Sequence, residues 1–227
     1  MAFLFDPPPQ AALPIYGSDK LFPVHRIYCV GRNYAEHARE MGFDPDKEPP
    51  FFFQKNTDCL VLDGQFPYPM ASENVHHELE MVAALHSGGT NIPKERAMDH
   101  VYGYGVGLDM TRRDLQGIAK KMGRPWEIGK AFDNSAPCTP LTPASEVGHL
   151  SSGSIWLEVN GKRRQSSDLA KMIWSIPQQI AYLSSLFELK AGDLIFTGTP
   201  EGVDAVSRGD VLKGHVDGLP DLNVVVV

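Results

Sequence analysis

Apolar residues in this chain come mostly in short runs separated by turn residues, and few stretches hold the three-to-four spacing of a long helix. HRIYCV at 25–30, ending at Gly31, and FFF at 51–53 read as short buried strands. HHELEMVAAL at 76–85 reads as another, closed by a turn at Ser87, Gly88 and Gly89. VYGYGVGLDM at 101–110 alternates glycine with larger residues, as a strand does where a second backbone approaches closely. SIWLEV and KRRQS flank Asn160-Gly161, the clearest hairpin signal in the sequence. LKAGDLIFTGTPEGV then reads as turn, apolar strand and glycine-rich loop, and VLKGHV and LNVVVV finish the chain as short strands.

Helical signals are fewer. RNYAEHAREMG has the composition of a short helix closed by Gly42, and 94–100 reads as a second short one. TRRDLQGIAKKMG makes about three turns, with Asp109 or Thr111 as the expected cap. Pro177 begins a helix with an apolar face through Phe187. Prolines at 45, 49 and 50 enforce a loop, 67–71 is loop, and polar, proline-rich text runs to about Gly148. Residues 1–24 lack a sustained period and read as an arm wrapping the surface, and 25–227 reads as one unit without repeat or linker. The expected class is mainly β with short helices (α+β).

Composition narrows the function. A chain of 227 residues, 42% hydrophobic, is long enough for a real core and ordinary for a soluble globular protein. A formal net charge of -7, with no basic block beyond Lys162–Arg164 after the Asn-Gly turn, argues against nucleic acid as a partner. No apolar run approaches the roughly 20 residues of a membrane span, and the N-terminus lacks the marks of a signal peptide, so the expected location is the cytoplasm. Cys29, Cys59 and Cys138 show no paired motif and read as reduced, buried thiols. Cys138 as a nucleophile would need a histidine and an acid beside it.

Three constellations carry chemistry. Glu78 and Glu80 lie two apart in an apolar strand, so both carboxylates project from one face, where a buried like-charge pair needs a proton or a cation. A pair like this is also common as a solvated strand edge. Asp109, at the end of the VGLD strand, adds a third oxygen donor, and three such donors with no cysteine suit a hard ion such as magnesium or manganese. His76 and His77 either add ligands or orient the strand, the second being the commoner use. His37 and Glu40, three apart on a helix, share a face, so the glutamate can hold the imidazole in the tautomer that accepts a proton from water. Surface pairs at this spacing are often idle, but the glycine and proline brackets suit a helix that closes over a site. The loop FTGTPEGV at 196–203, with Lys130 as countercharge, is either a carboxylate-binding turn or a plain one.

CVGRNYAEHAREMG, HHELEM, GYGVGLDMTRRDLQ, PWEIGKAFD and LIFTGTPEGV, in that order, resemble the fumarylacetoacetate hydrolase superfamily from about residue 25 to the C-terminus. The single-domain length and GFDPDKEPPFFFQK resemble its bacterial acylpyruvate hydrolases, which act on fumarylpyruvate or maleylpyruvate in gentisate breakdown. The resemblance implies a mixed β-sandwich roll around a metal site, usually as a homodimer. It implies Glu78, Glu80 and Asp109 as ligands of Mg2+ or Mn2+, and His37 with Glu40 as a catalytic dyad on a lid helix. Arg113 and Gln116 match substrate-side positions, Lys130 the active-site lysine, and Thr199, beside Gly198, the threonine that holds the substrate carboxylate. One departure is Lys55-Asn56 where many relatives have Lys-Pro, which bears on loop shape and substrate selection.

The implied substrate is a small 2,4-dioxo acid, split by an activated water at the carbonyl distal to the carboxylate, the leaving enolate being stabilised by the cation. The same site also serves oxaloacetate decarboxylation and isomerisation of unsaturated oxo acids in the superfamily, neither of which needs an activated water. Outside enzymes, the alternative is a metal-stabilised β module that binds a ligand without turning it over.

Overall fold

The computed structural model describes residues 3–42, 44 and 49–227, so Pro45 and most of the GFDPDKEPP segment lie outside the described residues. The N-terminal stretch contains a hairpin of β1 (Ala12–Pro14) and β2 (Leu21–Pro23), turning at Gly17 with φ +72°. Three-residue strands are too short to show a period, which is why the sequence reads there as a plain arm. β3 (Ile27–Val30) leads into α1 (Ala35–Glu40), and Gly42 follows at φ +81°, a left-handed stop that suits glycine. β4 (Phe52–Lys55) returns antiparallel to β3.

Two-residue strands β5 (Leu60–Val61), β6 (Gln65–Phe66) and β7 (Val75–His76) precede β8 (Leu79–Leu85). The expected continuous strand 76–85 is therefore broken at His77 and Glu78. A 3-10 turn at Lys94–His100 precedes β9 (Val101–Leu108), whose glycines meet close neighbours: a Cβ on Gly103 would lie 2.2 Å from the Thr142 carbonyl oxygen, and one on Gly107 2.6 Å from the Phe196 ring. β10 (Thr111–Arg112) runs into α2 (Arg113–Lys121). Contrary to expectation, neither Asp109 nor Thr111 caps this helix, which begins at Arg112 without a side-chain cap. Both side chains are engaged elsewhere, as shown below.

The polar text expected to be loop holds α3 (Glu127–Lys130), β11 (Ala136–Pro137), β12 (Thr142–Pro143) and α4 (Ala144–Val147), elements too short to carry a period. The hairpin of β13 (Ser154–Val159) and β14 (Lys162–Asp168) forms as expected, with Asn160 at φ +52° and Gly161 at φ +74° in its turn. α5 (Ile176–Leu186) opens on a capping box in which Ser175 and Gln178 satisfy each other's backbone amides. β15 (Leu194–Phe196), β16 (Val211–Val216) and β17 (Leu222–Val226) complete the chain.

Two sheets face each other, one in the order β12-β9-β8-β15-β3-β4 and one in the order β14-β13-β16-β17-β6. Met81, Val106 and Leu108 from the first meet Ile155, Leu157, Val216 and Val224 from the second, with Ile180 and Leu183 of α5 joining the same core. Each such side chain contributes about 1.5–3 kcal/mol by leaving water. Alternate residues of the same strands, Cys29, Val82, Ala84 and Phe196, face outward and are covered by Leu13, Phe22, Cys138 and Leu141. The first sheet is thus buried on both faces, a mixed β-sandwich with a hairpin as its outer layer. Among the described residues no helix is long and apolar enough to cross a membrane.

Candidate metal and catalytic site

Strand directions create the site. β15 runs parallel to β3 and antiparallel to β8, and β8 runs antiparallel to β9. The C-terminal ends of β3, β15 and β9 and the N-terminal start of β8 therefore meet at one edge of the first sheet. From that edge β3 leads to α1, β15 to the 197–203 loop, β9 to Asp109, and β8 begins beside Glu78 and Glu80.

Glu78, Glu80 and Asp109 offer one oxygen each within 4.8 Å of one another, and their residues are 5%, 1% and 1% exposed. Glu78 does so from the break before β8, where the Asp109 backbone N–H donates to its carbonyl at 2.8 Å. Oxygens held about 2.1 Å from one hard cation lie about 3–4 Å apart, which this spacing accommodates. The charges already present are uneven. Lys130 Nζ donates to Glu78 Oε2 at 2.8 Å, Asp109 Oδ2 at 2.6 Å and Thr111 Oγ1 at 2.7 Å. Arg113 pairs with the other Glu78 oxygen, and Lys55 Nζ lies 2.9 Å from Asp109 Oδ1. Glu80 Oε2 accepts the Gly198 backbone N–H at 2.7 Å, and among the described residues no lysine, arginine or histidine pairs with it. Burial, reinforced by Asp109 and Glu78, pushes the Glu80 carboxyl well above the usual carboxylate range. Burial works the same way on Glu78, but Lys130 and then Arg113 outweigh it and hold that carboxyl below its ordinary value. An all-oxygen, sulfur-free set with one buried carboxylate lacking a cation fits Mg2+ or Mn2+.

His37 is 3% exposed and faces Glu40 Oε2 from Nδ1 at 3.3 Å. Burial lowers its pKa despite the nearby charges of Glu78 and Glu40, so the imidazole is neutral at pH 7. With Nδ1 toward Glu40, Nε2 is the nitrogen left to accept a proton. His37 shares one cavity with Glu78, Arg113, Gln116 and Lys130. Gln116 is buried and accepts from Arg113 Nη1 at 2.7 Å, which fixes the guanidinium over the cavity.

The 197–203 loop joins both halves. The Gly198 amide serves Glu80, and the Gly202 amide reaches Glu40 Oε2 at 3.2 Å, so two of its N–H groups are directed at protein carboxylates. Gly198 sits at φ +98°, where a Cβ would lie 2.5 Å from that of Asn33, and Asn33 Nδ2 donates to the Thr197 carbonyl at 2.7 Å. Thr199 Oγ1 accepts from Gln165 Nε2 at 2.8 Å.

Several residues here were not apparent from sequence. Lys55 is buried and donates to the carbonyls of Met110 and Lys130 and to Ser135, tying the carboxylate cluster to α3. Its signal was a lysine closing the apolar run FFFQK. Asn56 after it has φ -72°, a value proline also adopts, so this backbone would accept the proline of Lys-Pro. Gln165, in a hairpin strand that reads as solvated, is fully buried and also takes the His77 Nδ1 contact at 3.1 Å. His76 and His77 stand outside the carboxylate cluster, and His76 pairs instead with Asn74. Burial pushes the Cys138 thiol up to about 12, which does not suit a nucleophile.

The profile of the family described as "Fumarylacetoacetate (FAA) hydrolase C-terminal" matches residues 26–227. The crystal structure of fumarylpyruvate hydrolase from Pseudomonas aeruginosa, in complex with Mn2+ and pyruvate, superposes with a TM-score of 0.98 at 57% identity, covering 100% of this chain and 99% of that one. Fumarylpyruvate hydrolase of Ralstonia sp is 43% identical over 189 residues, 82% of this chain and 98% of the relative. Mitochondrial oxaloacetate decarboxylase of Dictyostelium discoideum is 41% identical over 196 residues, 86% of this chain and 89% of the relative.

Proposed function

We propose, for a chain that belongs to the fumarylacetoacetate hydrolase family, that it is an enzyme hydrolysing a carbon-carbon bond of an acylpyruvate, fumarylpyruvate or maleylpyruvate, to pyruvate plus fumarate or maleate. The observation that carries this reading is the neutral, buried His37, backed by Glu40 and opening into the same cavity as Glu78 and Arg113. A role in gentisate breakdown, a homodimer, a cytoplasmic location and a catalytic domain from residue 25 behind an arm at 1–24 belong to the same proposal.

A divalent cation held by Glu78, Glu80 and Asp109 supplies Lewis-acid charge where the leaving pyruvate develops its enolate. Thr199, beside Gly198, holds the substrate carboxylate, with Arg113 and Gln116 lining its approach. His37 Nε2 removes a proton from water, and the oxygen adds to the carbonyl distal to that carboxylate. Glu40 keeps the imidazole in the accepting tautomer and stabilises the charge it gains. The carbon-carbon bond then breaks, its electron pair passes to pyruvate as the enolate, and the proton on His37 returns to that carbon. Lys130, already bridging Glu78 and Asp109, adds positive charge beside the enolate oxygen.

Mixing the chain with fumarylpyruvate and following the substrate's enol absorbance, with Mg2+ and with chelator, tests this: the absorbance falls only when the ion is present. Unchanged absorbance in both samples contradicts it. Decarboxylation of oxaloacetate is the second reading, favoured by the Dictyostelium relative. It needs enolate stabilisation but no activated water, so under that reading His37→Ala spares turnover.

A further inference from the structure

The second sheet reaches the site through Gln165, which none of these steps uses. β14 is exposed along much of its length, but Gln165 within it is fully buried. Beside it the pairing with β13 shifts, Leu157 facing Gln165 and Glu158 facing Arg163, so Arg164 is an extra residue, a bulge of the kind that re-aims a neighbouring side chain. The 197–203 loop packs on that bulge: at Gly202, with φ +90°, a Cβ would lie 2.2 Å from the Arg164 carbonyl oxygen.

The Gln165 amide is engaged on both sides. Nε2 donates to Thr199 Oγ1 and to the Pro200 carbonyl, both at 2.8 Å, while Oε1 accepts from the Leu79 backbone N–H at 3.0 Å and from His77 Nδ1 at 3.1 Å. The Leu79 N–H can only donate and the Pro200 carbonyl can only accept, so the amide has one allowed orientation. That orientation sets the polarity of Thr199, a residue itself 3% exposed. Its oxygen receives a hydrogen from Gln165, and among the described residues nothing accepts its own. The hydroxyl is thereby left as a donor on a fixed oxygen, the form that recognises a carboxylate. Leu79 stands between Glu78 and Glu80, and Pro200 follows Thr199, so the same amide also sets the loop against the strand that carries the carboxylate cluster.

Resting on the reading above that Thr199 holds the substrate carboxylate, we propose that Gln165 is a positioning residue that acts through Thr199, keeping its hydroxyl a donor to that carboxylate. The test is calorimetric titration of pyruvate, which carries the carboxylate, into the full chain loaded with Mn2+, for wild type, Gln165→Met, Thr199→Val and the double variant. Gln165→Met weakens pyruvate binding about tenfold with Thr199 present, the size of one hydrogen bond to a charged group, and less than about twofold in the Thr199→Val background. Gln165→Glu keeps the test available if Gln165→Met fails to fold. It matches glutamine in shape, but the oxygen that replaces Nε2 draws the Thr199 hydrogen inward, and the same loss is expected. Wild-type affinity in either folded variant overturns the assignment. So does an equal loss with and without the Thr199 hydroxyl, which is what packing of the loop alone would give. Thr199→Val at wild-type affinity overturns the carboxylate reading and the assignment together. Failure of the hydrolase reading is a different result, a wild type that binds pyruvate and leaves fumarylpyruvate intact, and the double-variant comparison still decides the role of Gln165.

Discussion

Each sheet of this protein carries a cluster of acids and bases, and the two differ in what burial leaves undone. On the outer face of the second sheet, His215 donates toward Asp221 Oδ1 at 2.6 Å and Asp217 Oδ1 at 3.0 Å, and its ring stacks on Trp156. The Asp217 carboxyl is held below its ordinary range by the Ser154 N–H and by His215. Burial opposes ionisation of Asp221 slightly, and His215 and Lys213 outweigh it. Every negative charge there has a donor and water nearby. At the edge of the first sheet, Glu80 has one backbone N–H, two carboxylate neighbours and almost no water. Acidic side chains alone therefore do not make a metal site. A site arises where folding buries more negative charge than the protein's own cations reach.

The largest effect that would break or sharpen this contrast is on turnover. His37→Ala lowers kcat for fumarylpyruvate about 10²–10⁴-fold, the usual contribution of a positioned general base, while Mn2+ affinity stays within a few-fold. Normal kcat would remove His37 from the reaction. Next in size is ion binding read as stability. Mn2+ at about 100 times its dissociation constant adds about 2.7 kcal/mol, seen as a rise of several degrees in melting temperature. Asp221→Asn keeps that rise and Asp109→Asn loses it, and an equal rise in both would erase the distinction between the clusters.

Smaller effects come from pH. Burial holds the His37 pKa below its ordinary value of 6.5, so kcat/KM falls as pH drops through that lowered value. An acid limb centred above 6.5 in the rate profile would contradict this. Burial lowers the His215 pKa, but Asp221 and Asp217 outweigh it and leave the value raised. A raised folded-state value contributes stability that is complete below 6.5 and lost as pH rises through it. In urea unfolding, the difference between wild type and His215→Gln is therefore larger at pH 5.5 than at pH 9. A difference that grows with pH would reverse the sign.

Much of the fold was legible because β13 and β17 bury alternate residues, β9 alternates glycine with larger ones, and an Asn-Gly pair in left-handed backbone turns the β13–β14 hairpin. The pairing of Glu78 with Glu80 was expected from strand periodicity, yet Glu78 lies just outside the strand, and the two meet because β7 breaks before β8 begins. Elements of two to four residues, such as α3, which places Lys130, leave no periodic trace and are held by contacts distant in sequence. Lys55 and Gln165 were illegible for a related reason. Their local text describes a strand end and a solvated strand, and only the assembled sheets show that each is buried beside a site group.

Titration of Mn2+ into the metal-free chain, followed by the electron spin resonance of the free ion, tests the central claim most directly. The account predicts one tight ion per chain in wild type and at least a hundredfold weaker binding in Glu80→Gln, more than the roughly 10–100-fold that outer partners of a metal contribute. Binding by Glu80→Gln at the wild-type affinity would contradict it.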